Sequence, residues 1–150
     1  MTTPELGTDT PGLTVRCQEN RAVSVRFRDR FSFDADSVHY AVELEAPGLT
    51  ARNDEIVAWI WDRDLPSFLE ELTAEFRRWD GERVWHTDDH DLTVAAVFRA
   101  GGHIGLTWTL RPWVRASGGW SASVTTVLEA GEQLSSLAAD LRHFLAAEAR

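Results

Sequence analysis

The residues best suited to chemistry in this chain lie in the stretch His86-Thr87-Asp88-Asp89-His90-Asp91. Extended backbone sends alternate side chains to one side, so His86, Asp88 and His90 would project together. Two imidazoles and a carboxylate suit zinc or iron, and an open fourth position would make the site a metal-dependent hydrolase. The spacing fits no established metal signature. An aspartate-rich run between Trp85 and Leu92 reads equally well as a solvated connection. Elsewhere there is no G-x-S-x-G, no phosphate-cradling glycine loop and no H-E-x-x-H. His103 and His143 have no serine or cysteine beside them in a recognisable pattern. Cys17, the only cysteine, reads as a buried inert thiol. Among 24 acidic residues a chance pair of carboxylates is expected, so pairing alone marks no glycosidase. The expectation is a protein without catalytic residues or cofactor.

Two other groups carry binding chemistry. The seven tryptophans serve either as core or as a platform for a sugar or a partner. Trp79 falls on a helical stripe, and Trp108 and Trp120 fall on inward strand positions, so these three are expected to be packed. Trp59, Trp61, Trp85 and Trp113 are the candidates for a ligand or partner patch. The acidic group runs from Asp62 to Asp91. Within it Glu70, Glu71, Glu75, Asp88 and Asp89 would make a surface that steers a basic partner. A solvated helix face with its cap and a loop has the same composition.

Strands and two helices must position these residues. Val23, Val25 and Phe27 alternate with polar residues, as do Val38, Tyr40, Val42 and Leu44, and Pro47-Gly48 ends that run in a turn. Arg26 and Arg28 would then face Glu43 and Glu45 across a ladder. IVAWIW, from Ile56, is either covered on both faces or exposes Val57, Trp59 and Trp61. Asp64 caps a helix with Pro66 in its first turn and an apolar stripe through Leu65, Phe68, Leu69, Leu72, Phe76 and Trp79. The second half repeats the plan. Alternating runs begin at Leu92, Ile104 and Trp120, and a last helix aligns Leu134, Leu137, Leu141, Phe144 and Leu145. A βββα duplication would produce this pattern, and so would any two units of that kind.

Residues 1–12, rich in Pro, Gly and Thr, read as a disordered lead-in and not as a secretory signal, with 13–150 as one domain. One cysteine suits a reducing compartment, which makes the cytoplasm the default. All 15 basic side chains are arginine, and the formal net charge is −9. That balance disfavours nucleic acid and membrane surfaces and suits a basic protein partner.

The combination E-A-P-G-L-T-A, D-L-P-S-F-L-E-E-L, W-D-G-E-R-V-W, D-L-T-V and A-G-E-Q-L-S-S-L-A-A-D-L resembles an uncharacterised actinobacterial domain family (family 6228-like), from about Val15 onward. That resemblance implies no activity. More distantly, the layout is similar to WapI-type toxin-immunity proteins, which implies inhibition by binding. The expected fold is α+β: one curved antiparallel sheet of about six to eight strands with two amphipathic helices on one face. The expected function is non-enzymatic binding of a basic partner through an acidic surface. The alternatives are a small molecule held between sheet and C-terminal helix, and the hydrolase at His86, Asp88 and His90.

Overall fold

The computed structural model describes residues 12–75, 80–112 and 118–146. Four strands, β1 (Leu13–Arg16), β2 (Ser24–Phe31), β3 (Ser37–Ala46) and β4 (Leu49–Trp59), lead into helix α1 (Leu65–Ala74). Four more, β5 (Glu82–His86), β6 (Leu92–Arg99), β7 (His103–Leu110) and β8 (Ala122–Glu129), lead into helix α2 (Glu132–Ala146). The lead-in 1–11, the helical stripe at Phe76 and Trp79, and Trp113 lie outside the described residues.

The fold is α+β, but the expected single sheet is two. One has the order β1-β2-β3-β4 and the other β5-β6-β7-β8, both antiparallel. Alternation reports which side of a strand is buried and not which strand lies beside it, so the sequence could not divide them. Within each sheet the register follows the pattern. Trp85, Val94, Trp108 and Val124 form one inward row, and Val25 opposes Leu44. Pro47 and Gly48 close the β3–β4 hairpin, and Gly48 takes the positive φ of 80° that such a turn demands. Arg26 sits opposite Glu43, and Arg28 also reaches that carboxylate, so both arginines converge on Glu43 at 3.6 and 3.3 Å.

Both inward faces, with both helices, enclose one core. At its centre the Phe27 ring from β2 lies 5.8 Å from Tyr40, 5.8 Å from Trp108 of β7 and 6.2 Å from Phe144 of α2. The buried Trp108 indole donates to Thr126 Oγ1 at 2.9 Å, which satisfies the one polar atom that the ring brings inside. Hydrogen bonds also stitch the sheets together, among them one from Val127 N–H to Cys17 Sγ at 3.3 Å. Gln18 N–H donates to the Val127 carbonyl at 2.9 Å, and Asn53 Nδ2 donates to the Arg111 carbonyl at 2.7 Å.

The helices pack against each other, α1 also against β5, and α2 against β1 and β8. Asp64 caps α1 by accepting from Ser67 N–H at 2.8 Å, and Leu65, Phe68, Leu69 and Leu72 bury one face. Trp120 departs from expectation, being 39% exposed. The β7–β8 ladder ends at Leu110 and Ala122, and Pro112 has no N–H to extend it, so Trp120 lies past the last paired row. No helix among the described residues is long and apolar enough to cross a membrane.

Candidate functional site

Three loops meet at one end of the molecule: residues 32–36 between β2 and β3, 60–64 between β4 and α1, and 87–91 between β5 and β6. Ile60 N–H donates to the Asp36 carbonyl at 2.9 Å, which joins the first loop to the second. The Trp85 indole donates to the Arg63 carbonyl at 2.8 Å, which joins the second to the strand that feeds the third.

Each loop has a local cause. A bulge with Asp29 at φ 57° shifts the β2–β3 register between Arg28 and Phe31. Bulges re-aim side chains, and this one sets Phe31 opposite His39. The two rings stack at 4.9 Å and 17°, and the Phe33 ring stands edge-on at 5.1 Å to each. Asp34 turns the loop by accepting from Asp36 N–H at 2.9 Å. In the second loop β4 stops at Trp59 and the chain turns, so Trp61 folds back to stack on Trp59 at 5.0 Å and 13°. The apolar run IVAWIW thus ends in the open, with Ile60 67% and Trp61 66% exposed, and on the first loop Phe33 is 77% exposed. Patches of this kind mark partner or ligand surfaces.

The third loop is built on a buried hydroxyl. Thr87 Oγ1 donates to Asp91 Oδ1 at 2.5 Å and accepts from the N–H groups of Asp91 and Leu92, both at 3.2 Å. Burial pushes the Asp91 carboxyl above the ordinary carboxylate range, and the Thr87 hydrogen bond opposes that shift. Burial, with the Asp91 charge as a lesser cause, likewise pushes the Tyr40 phenol upward.

The residues singled out from sequence divide clearly. Trp59 and Trp61 form the stacked pair, and Asp88 and Asp89 are exposed on the third loop. Trp85 is not part of an exposed patch: it is 7% exposed because it shares the inward row of Val94 and Trp108. His86 and His90 stack face to face at 3.8 Å, while His86 Nδ1 lies 2.7 Å from the Thr87 carbonyl oxygen. Stacked rings do not aim their nitrogens at a shared point. Among the described residues no three His, Cys, Asp or Glu side chains gather as a metal-binding group. On α1, Glu70 takes a bidentate contact from Arg142 at 2.9 and 3.0 Å. Glu71 pairs with Arg63, and Glu75 pairs with Arg83 at 2.7 Å.

Two spaces open beside the loops. A cavity of about 20 Å³ near Tyr40, Leu65, Trp85 and Leu145 has room for one water and no larger ligand. An open cleft of about 240 Å³ is lined by Asp62, Arg63, Val84, Trp85, His86 and Asp88. A third space, an open groove of about 490 Å³, lies elsewhere, between β1, the end of β8 and α2. Sequence reasoning passed over Phe31, Phe33 and His39. The signal was present in the run Phe31-Ser32-Phe33-Asp34-Ala35-Asp36, where aromatics sit beside turn formers that cannot bury them.

No curated protein and no solved structure matches this chain. A model of a family of unknown function, DUF6228, matches residues 16–148, so the chain belongs to that family.

Proposed function

We propose that this is a non-enzymatic binding protein whose three-loop end receives a basic segment of a partner protein. The carrying observation is the pairing of exposed apolar side chains, two of them aromatic, with acids that form no ion pair among the described residues. Phe33, Ile60 and Trp61 stand beside Asp34, Asp36 and Asp62, and the adjoining cleft adds Asp88. Aromatic faces and carboxylates together suit arginine and lysine, through cation–π attraction and charge-assisted hydrogen bonds. The acids of α1, by contrast, are engaged by arginines of the same chain. The layout favours an inhibitor of the immunity type, which acts by covering a cationic toxin in the cytoplasm.

Titration with arginine-rich and acidic peptides, read by tryptophan fluorescence over a salt series, tests this. The basic peptides should bind, more weakly as salt rises, and Trp61→Ala with Asp62→Asn should cost about ten-fold or more in affinity. Binding indifferent to salt and to both substitutions would remove the reading. The groove between β1 and α2 supports a second reading, a small molecule held against Leu13, Val15 and Leu137. A ligand screen read by perturbation of those three side chains decides it.

A further inference from the structure

We infer that the open edge of β1, with the groove between it and α2, receives an extended segment of a partner protein in which apolar residues alternate with arginine or lysine. Successive residues of a strand direct their backbone N–H and C=O groups to opposite sides. Cys17 N–H donates to the Val23 carbonyl, just before β2, at 3.0 Å, and Gln18 N–H donates the other way, to the Val127 carbonyl at 2.9 Å. Counted back along the strand, Val15 and Leu13 direct theirs to Val25 and Phe27, and Arg16 and Thr14 direct theirs outward. Those outward groups have no partner among the described residues.

The facing lip of the groove is closed. On β8 the Val127 N–H donates to Cys17 Sγ at 3.3 Å, and the Glu129 N–H donates to Gln133 Oε1 at 2.8 Å. An unpaired strand edge is a template for a further strand, because a row of backbone donors and acceptors is matched by another backbone. A small molecule against Leu13, Val15 and Leu137 would leave that row to water. β1 has only four residues, so the guest is a short segment and not a sheet.

Side chains select its sequence. Alternate residues of an added strand would lie over Val15, Leu128 and Leu137, which are buried, and beside half-buried Leu13, so these positions suit apolar side chains. The groove, of about 490 Å³, is also lined by Glu129, Glu132 and Asp140, none in an ion pair among the described residues. Arg16 is the one cation of the lining, and its guanidinium donates to the Arg21 carbonyl at 3.1 Å. Three carboxylates against one arginine select arginine or lysine at the remaining positions of the guest. The same charges disfavour a second copy, whose β1 would arrive with three carboxylates of its own and a net charge of −9.

Three end-capped peptides test this on the full chain: Val-Arg-Val-Arg-Val, its counterpart with glutamate for arginine, and the first peptide with every backbone amide N-methylated. Binding is read as hydrogen exchange at the Thr14 and Arg16 amides, so a peptide held at the three-loop end does not count. Both amides should exchange freely in the chain alone and slow by about ten-fold or more with the basic peptide at millimolar concentration. The acidic and the methylated peptides should bind about ten-fold more weakly or worse. Thr14→Pro removes one outward donor and no β1–β2 hydrogen bond, and should weaken the basic peptide by about five-fold, read at Arg16. The inference is overturned if the methylated peptide binds as well as its parent, or if the basic peptide leaves both amides unprotected. Protection of those amides in the chain alone, or protection that rises with protein concentration and no peptide, also overturns it, whether or not the variant folds.

Discussion

Phe27→Ala tests whether the two sheets share one core. The Phe27 ring is fully buried and touches aromatic partners from its own sheet, from the other sheet and from α2. Removing a buried phenylalanine costs about 3–5 kcal/mol, the larger values arising where the surroundings cannot close on the void. Here Tyr40 and Trp108 are held by strand register and Phe144 by a helix, so about 4 kcal/mol is expected. A domain of this kind has roughly 5–15 kcal/mol in total, and for a chain this size each kcal/mol moves the melting midpoint by about 2–4 °C. The midpoint should therefore fall by roughly 8–16 °C. Urea unfolding followed by hydrogen exchange of β2–β3 and of β6–β7 should show both halves losing the same free energy in one transition. A loss below about 1 kcal/mol, or protection that survives in β6–β7 alone, would refute the shared core.

Thr126→Val keeps the shape of the side chain but strands the Trp108 indole N–H in a dry interior, and should cost about 1–3 kcal/mol in chemical denaturation. Adding Trp108→Phe should then cost less than it does alone, and strict additivity of the two would count against the hydrogen bond. Asp91 gives a pH dependence. Its carboxyl is raised in the folded state, so on a rise in pH the unfolded chain loses this proton first. Stability is thus fullest below the ordinary carboxylate range and declines as pH climbs through the raised folded value. Asp91→Asn retains an acceptor for Thr87 and should flatten that decline, and parallel denaturation profiles for the two proteins would discount it.

The alternating residues located strands, because period-two burial is a local property, and the register of Leu92 against Leu110 or Val25 against Leu44 follows from it. The caps were equally local: Asp64, Pro66 and the turn at Pro47-Gly48 act within a few residues. The division into two sheets was not legible, since it rests on partners far along the chain, such as Asn53 with Arg111. The site was half legible. Trp59 and Trp61 were chosen because a run with apolar residues on both faces exposes some of them unless it is covered on both. Trp85 was misplaced because its flanks, Val84 and His86, gave no alternation to fix its side. Phe31 turns outward only through the bulge at Asp29, a positive φ that an aspartate permits but does not announce.

Charge taught the same lesson on a larger scale. Read in order, Glu70, Glu71 and Glu75 look like an acidic patch awaiting a cation. In space the cations arrive from Arg142 on α2, Arg63 in the loop before the helix and Arg83 on β5. Exposed pairs of this sort add little stability, about 0–1 kcal/mol each. Their larger effect is on the distribution of field. Arg142 serves Asp64 as well as Glu70, so three arginines offset most of the four carboxylates there, while Asp34, Asp36, Asp62, Asp88 and Asp89 on the loops form no ion pair among the described residues. The basic partner proposed above would therefore be directed past α1 toward Trp61 and Phe33, where carboxylates and aromatic faces would act on the same cation.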